Sequence, residues 1–142
     1  MDRPSREQVL MDIAKAVSSR ATCRRRSVGA VVARNSRVII TGYNGPPAGT
    51  PHCDLFCDMD NHCTRSLHAE ENLIAFAARY GTSLEGTQLY ITLEPCIKCA
   101  RLILAAGISE VIFQDSYLPS GVSDGFRLLS DSGVTIRQWK TP

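Results

Sequence analysis

Two short stretches of the chain carry residues suited to metal-assisted hydrolysis. Arg65 to Leu73 reads R-S-L-H-A-E-E-N-L, and Leu93 to Ala100 reads L-E-P-C-I-K-C-A. Cys96 and Cys99 stand at C-x-x-C spacing at the start of an expected helix, where free amide groups and the helix dipole favour thiolates. His68 opens another expected helix. Two thiolates and one imidazole are three good zinc ligands. A catalytic zinc keeps its fourth position for water and lowers that water's pKa to about 7. Glu70, two residues from His68, can reach the same site from the first turn and shuttle the proton between water and substrate. Singly, each feature is weak: a helix-start histidine is often a cap, and a first-turn glutamate often only meets the dipole. The combination is specific. A purely structural zinc site is the competing reading, but it would want a fourth protein ligand and has no use for Glu70.

Those residues need elements to hold them. Ser5 to Ser19 places Val9, Leu10, Ile13, Ala14, Ala16 and Val17 on one helical face, with Ser5 as cap. Val28–Ala33 and Val38–Tyr43, separated by Arg34-Asn35-Ser36, read as a β-hairpin. Residues 44–65 show neither period; a loop this long is usually functional or pinned. His68–Tyr80 is helical and ended by Gly81, Gln88–Leu93 is a strand, and Cys96–Ala106 is a helix with Pro95 in its first turn and Gly107 closing it. Glu110–Gln114 is a strand, Leu128–Ser132 reads as the end of a helix, and Val134–Trp139 is a last strand. Strand–helix alternation in the second half predicts parallel strands covered by helices.

The whole-chain numbers fit one domain over residues 1–142. The chain has 142 residues, 44% of them hydrophobic and 21% charged, with a net charge of +2, which is ordinary for a globular protein and does not call for nucleic-acid coating. Arg20, Arg24, Arg25 and Arg26 form a local basic run, read either as a solvated face or as an anion site. No leader and no membrane-length apolar run is seen, so the expected location is cytoplasmic. In a reducing compartment the six cysteines, clustered near histidines, more often bind metal than pair as disulfides.

H-x-E followed by P-C-x-x-C is a signature of zinc nucleobase deaminases. The chain resembles the cytidine and deoxycytidylate deaminase superfamily, and within it the deoxycytidylate (dCMP) deaminases. The resemblance rests on S-V-G-A-V-V at 27–32, T-G-Y-N-G-P-P-A-G at 41–49, H-C-T-R-S-L-H-A-E-E-N at 62–72, G-T-Q-L-Y-I-T-L-E-P-C-I-K-C-A at 86–100 and A-G-I-S-E-V-I-F at 106–113. It implies an α/β fold, a three-layer α-β-α arrangement with a mixed sheet of about five strands. It implies hydrolytic deamination of dCMP to dUMP with release of ammonia, zinc-bound hydroxide attacking C4. His68, Cys96 and Cys99 match the zinc ligands and Glu70 the proton shuttle.

The resemblance also suggests substrate and assembly roles. Asn44 matches a sugar contact, and Tyr117 an aromatic of the nucleotide pocket; a turn residue and a packing residue are the plainer readings. Backbone near Ala69 and Leu93 is expected to read the base edge. Arg26, next to a core strand, is the chosen donor for the 5′-phosphate. Family members are commonly hexameric and regulated by dCTP and dTTP, and Phe76 and Arg79 resemble positions at a subunit or effector surface; core packing and solvent exposure are the alternatives.

Four cysteines remain, Cys23, Cys53, Cys57 and Cys63, enough for one tetrahedral site, with His52 and His62 as competing ligands. Some phage members bind a second zinc near here. Cys23 and Cys53 match two of its ligands; Ser66 stands where an acidic ligand is expected, which moves the choice to Cys57 and Cys63. A second zinc would order the long loop; free thiols are the alternative. T-L-E-P-C at 92–96 also occurs in relatives acting on tRNA adenosine, guanine or riboflavin precursors. Another base, nucleoside or tRNA adenosine is therefore the competing substrate, although nucleic acid is not favoured by the charge. A non-catalytic zinc-stabilised interaction protein is the remote alternative.

Overall fold

The computed structural model describes residues 2–23, 25–51 and 63–141. Nine elements follow in order: α1 Arg6–Ser18, β1 Gly29–Arg34, β2 Arg37–Tyr43, α2 Ala69–Tyr80, β3 Gln88–Leu93, α3 Ile97–Ala105, β4 Glu110–Asp115, α4 Asp124–Asp131 and β5 Thr135–Gln138. The five strands form one sheet in the order β2-β1-β3-β4-β5. β1 is antiparallel to both β2 and β3, whereas β3–β4 and β4–β5 are parallel. The mixed sheet and the parallel second half agree with the sequence reading.

Alternation along the strands sends side chains to two cores. Leu10, Met11 and Ala14 of α1 pack on Val31, Ala33, Tyr90 and Ile112. On the opposite face, Leu73 and Ala77 of α2, Ala100 and Ile103 of α3 and Leu129 of α4 pack on Val32, Leu89, Ile91, Val111 and Phe113. The sheet thus lies between α1 and a layer of three helices. No described helix is long and apolar enough to cross a membrane.

Local chemistry sets the element ends. The Ser5 hydroxyl accepts from the Gln8 amide at 3.0 Å and caps α1. The hairpin turns through Asn35 and Ser36, with φ of 52° and 63°, so Arg34 belongs to the strand; a two-residue turn of this hand matches the strand twist. His68 and Cys96 are the N-caps of α2 and α3 rather than their first helical residues. α4 is a full two turns beginning at Asp124, capped by the Ser123 hydroxyl on the Phe126 amide at 3.1 Å. Asp124, Gly125 and Arg127 break up the apolar pattern around Phe126, so only the end of this helix, from Leu128, is legible in the sequence.

Candidate active site

Both putting His68 at an N-cap and putting Cys96 at another aim two helix starts at one place. An antiparallel bridge holds the approach to α2: the Gly45 amide donates to the Leu67 carbonyl at 3.1 Å, and the Leu67 amide to the Gly45 carbonyl at 2.8 Å. The Asn72 side chain adds a bond to the Tyr43 carbonyl at 2.8 Å. The Glu71 carboxylate accepts from the His68 amide at 2.9 Å and pairs with Lys98 of α3 at 3.3 Å. β3 delivers Cys96 through Glu94 and Pro95, and one turn of α3 brings Cys99 alongside.

His68 Nδ1 lies 3.6 Å from Cys96 Sγ and 3.3 Å from Cys99 Sγ, and the three donor atoms all fall within 4.8 Å of one another. Zinc–sulfur and zinc–nitrogen bonds at a tetrahedral angle put sulfur and nitrogen about 3.6 Å apart. The donor set therefore fits one zinc ion in spacing and in chemistry, with three protein ligands and a fourth position left for another group. Among the described residues this is the one such cluster of three or more candidate ligands.

The electrostatics suit both tasks. Glu70 is 5% exposed, and burial pushes its carboxyl up to about 7, against the opposing effect of its own backbone amide and the Cys99 thiol. A group that titrates there can both take and give a proton at neutral pH. The hydrogen bond from Cys99 pulls the Cys96 thiol down to about 3, and the same bond pushes Cys99 up. The bond to Cys96 raises His68, against the lowering effect of burial.

A cavity of about 490 Å³ opens where β3 and β4 end. Leu93, Asp115 and Tyr117 form part of its wall, with Arg26, Ser27, Lys15 and Ser18 opposite. None of the metal donors lines it; the connection is Leu93, which leads into the Cys96 segment. Ligands of open α/β sheets bind outside the carboxyl ends of strands, and this cavity has that position.

The sequence-expected residues divide between these two places. Arg26 and Tyr117 come together, the guanidinium carbon 5.6 Å from the ring centroid. Ala69 is buried in the first turn of α2. Asn44 is buried with its amide committed to the main chain: Oδ1 accepts from the Val28 amide at 2.8 Å, and Nδ2 donates to the Arg26 carbonyl at 2.8 Å. Phe76 and Tyr80 lie on the outer face of α2 with ring centroids 4.6 Å apart, and Arg79 sits over Tyr80. Of the second metal candidates, Cys23 and Cys63 are half-buried, and the Ser66 amide donates to Cys63 Sγ at 3.3 Å. His52, Cys53, Cys57 and His62 lie outside the described residues.

Two residues escaped the sequence reading. Lys15 looks like a solvent-side residue of α1 but lines the cavity. Glu94 is buried; its only sequence signal is a carboxylate within an apolar strand end, next to Pro95.

A family model described as the cytidine and deoxycytidylate deaminase zinc-binding region matches residues 4–115. The chain belongs to the cytidine and deoxycytidylate deaminase family. It is 39% identical over 140 residues to ComE operon protein 2 of Bacillus subtilis, covering 97% of this chain and 73% of that protein. It is 37% identical over 145 residues to the deoxycytidylate deaminase of Saccharomyces cerevisiae, covering 96% of this chain but 46% of that one, so it spans about half of the yeast enzyme. A solved structure of dCMP deaminase from the cyanophage S-TIM5, in complex with dCMP and dUMP, superposes with a TM-score of 0.85 at 28% identity, covering 98% of this chain and 100% of that chain. The matched region contains His68, Cys96 and Cys99, the three residues whose donor atoms could hold one metal ion.

Proposed function

We propose that this protein is a zinc-dependent dCMP deaminase, converting dCMP and water to dUMP and ammonia. The observation that carries the substrate is the pairing of the metal donors with a neighbouring cavity whose walls bear Lys15 and Arg26. Two cations match the nearly double negative charge of a phosphate monoester at neutral pH. The hydroxyls of Ser27 and Ser116 line the same cavity. The phosphate-bearing substrate named for the cyanophage structure supports the same reading.

His68, Cys96 and Cys99 hold zinc, which when bound supplies the Lewis acidity that makes water nucleophilic near neutral pH. Glu70 accepts a proton from the attacking water and delivers it to N3 of cytosine, which makes C4 more electrophilic. Once the water oxygen has added to C4, Glu70 takes its second proton from the new C4 hydroxyl and passes it to the 4-amino group; the C4–N bond breaks, the C4 carbonyl forms and ammonia departs. Backbone groups at Ala69 and Leu93 read the base, and Arg26 and Tyr117 meet the phosphate end, while Asn44, with both side-chain atoms bonded to the main chain, holds Arg26 in place rather than meeting the sugar.

The proposal extends to assembly and metal content. Phe76, Arg79 and Tyr80 form an exposed aromatic surface suited to subunit contact in a hexamer, with dCTP and dTTP as effectors. A second zinc on Cys23, Cys53, Cys57 and Cys63 is proposed to order the loop before α2, in a single cytoplasmic domain. Ammonia release from dCMP, dCTP, deoxycytidine, cytosine, guanine and adenosine tests the substrate. Turnover of dCMP well above deoxycytidine is expected; turnover of a free base with dCMP idle would refute it. Two zinc ions per chain are expected, and one would remove the second site.

A further inference from the structure

Glu94 has no part in the proton transfers, yet it is a buried carboxylate, 6% exposed. Such a group is costly unless hydrogen-bonded. Its partners lie on the last residue of β4 and on the segment that follows it. The Glu94 amide donates to the Asp115 carbonyl at 2.8 Å, and Oε1 accepts from the Tyr117 amide at 3.3 Å. Oε2 accepts a short bond from the Ser123 hydroxyl, which in turn accepts from the Phe126 amide and caps α4.

The same junction is tight in the main chain. A side chain at Gly125 would come within 2.6 Å of the Pro95 carbonyl oxygen and 3.0 Å of the Cys96 carbonyl carbon. The first turn of α4 therefore rests against the segment that carries a metal donor. Residues 116–123 have little apolar anchoring of their own, for Tyr117, Leu118 and Val122 are all exposed. Polar ties to Glu94 decide where this segment lies, and Tyr117 at its start stacks on Arg26.

We propose that Glu94 is a positioning residue that sets the register between the metal donors and the phosphate-binding end of the site. It acts through the Tyr117 amide and Ser123, holding the 116–123 segment so that Tyr117 and Arg26 stand at a fixed reach from Cys96. This inference deepens the dCMP reading and rests on it. A misplacement of about 1 Å can cost about a hundredfold in rate, so loosening these ties is felt by a substrate that uses both ends. Deoxycytidine, which lacks the phosphate, uses only the base end.

The test compares zinc-loaded wild type, Glu94→Ala, Glu94→Gln and Ser123→Ala on dCMP and on deoxycytidine, with zinc per chain measured in each. Glu94→Ala is expected to raise KM for dCMP by about tenfold or more, while kcat/KM for deoxycytidine stays within about threefold and catalytic zinc is retained. Glu94→Gln keeps the acceptor for Tyr117 but not the one for Ser123, and Ser123→Ala loses one tie, so both shift KM in the same direction by less. On an Arg26→Gln background, Glu94→Gln adds little. Equal losses on both substrates in a variant of a wild type that prefers dCMP would overturn the inference alone. So would unchanged KM for dCMP in Glu94→Gln and Ser123→Ala, the variants that test it should Glu94→Ala not fold. A wild type without preference for dCMP would overturn the substrate reading and this inference with it.

Discussion

Replacing Asn44 with alanine removes the side chain that joins the start of β1 to the end of β2. Two main-chain groups lose their partner. The Val28 amide is buried, so leaving it unsatisfied costs about 1–3 kcal/mol. The Arg26 carbonyl is only partly buried and water can replace the lost donor, so its share is about 1 kcal/mol. The sum, about 2–4 kcal/mol, is a large part of a total stability of about 5–15 kcal/mol. For a chain of this length that lowers Tm by roughly 6–12 °C. Asn44→Asp separates the two bonds: it keeps the acceptor for Val28 but turns an acceptor toward the Arg26 carbonyl. Burial raises the folded-state pKa of such a carboxyl above its unfolded value, so its stability is fully present at low pH and is lost as pH rises through the folded pKa. Urea unfolding of the zinc-loaded proteins between pH 4 and 8 reads both effects. A loss below about 1 kcal/mol in Asn44→Ala, together with a large rise in KM for dCMP, would refute the reasoning and make the side chain a ligand contact first.

Other expectations follow from single features. Glu70→Gln should retain zinc and the wild-type far-ultraviolet spectrum while kcat falls by about a hundredfold or more, measured as ammonia release; near-wild-type turnover would remove Glu70 from proton transfer. Chelation should abolish deamination and lower Tm, and added zinc should restore both, because a ligand bound only by the folded state stabilises it. Tyr90 is buried beside Glu7 and Glu110, and burial first, then those carboxylates, holds its hydroxyl above the usual range, with Arg137 opposing. Its contribution is therefore full below about pH 10 and lost as pH rises further, so Tyr90→Phe should flatten the alkaline fall in urea-measured stability.

The gathering of His68, Cys96 and Cys99, with Glu70 beside them, was legible in the chain because metal chemistry demands particular side chains at short, fixed spacings. The hairpin and the parallel half were readable because alternation and glycine punctuation are local. Glu94 was not: its partners lie 23 and 29 residues ahead, and nothing beside it in sequence announces them. Asn44 looked like a turn or a sugar contact, because its two bonds reach back 16 and 18 residues. Lys15 sits on α1 like any exposed cation, and only the packing of α1 across β1 and β3 turns it toward a cavity. Local pattern names the candidate donors; their supports come from contacts between distant segments.

Gly29 deserves a last consequence. Its amide donates to the Thr92 hydroxyl at 3.1 Å, and any side chain there would stand 1.9 Å from the Ala14 carbonyl oxygen. α1 and β1 therefore touch backbone to backbone, with Lys15 next to Ala14 on the helix and the cavity-lining Val28 next to Gly29 on the strand. The spacing of helix and strand beside the cavity is gauged there by two main chains, like the jaws of a caliper, and not by adjustable rotamers. A side chain at position 29 would have to prise the helix off the sheet.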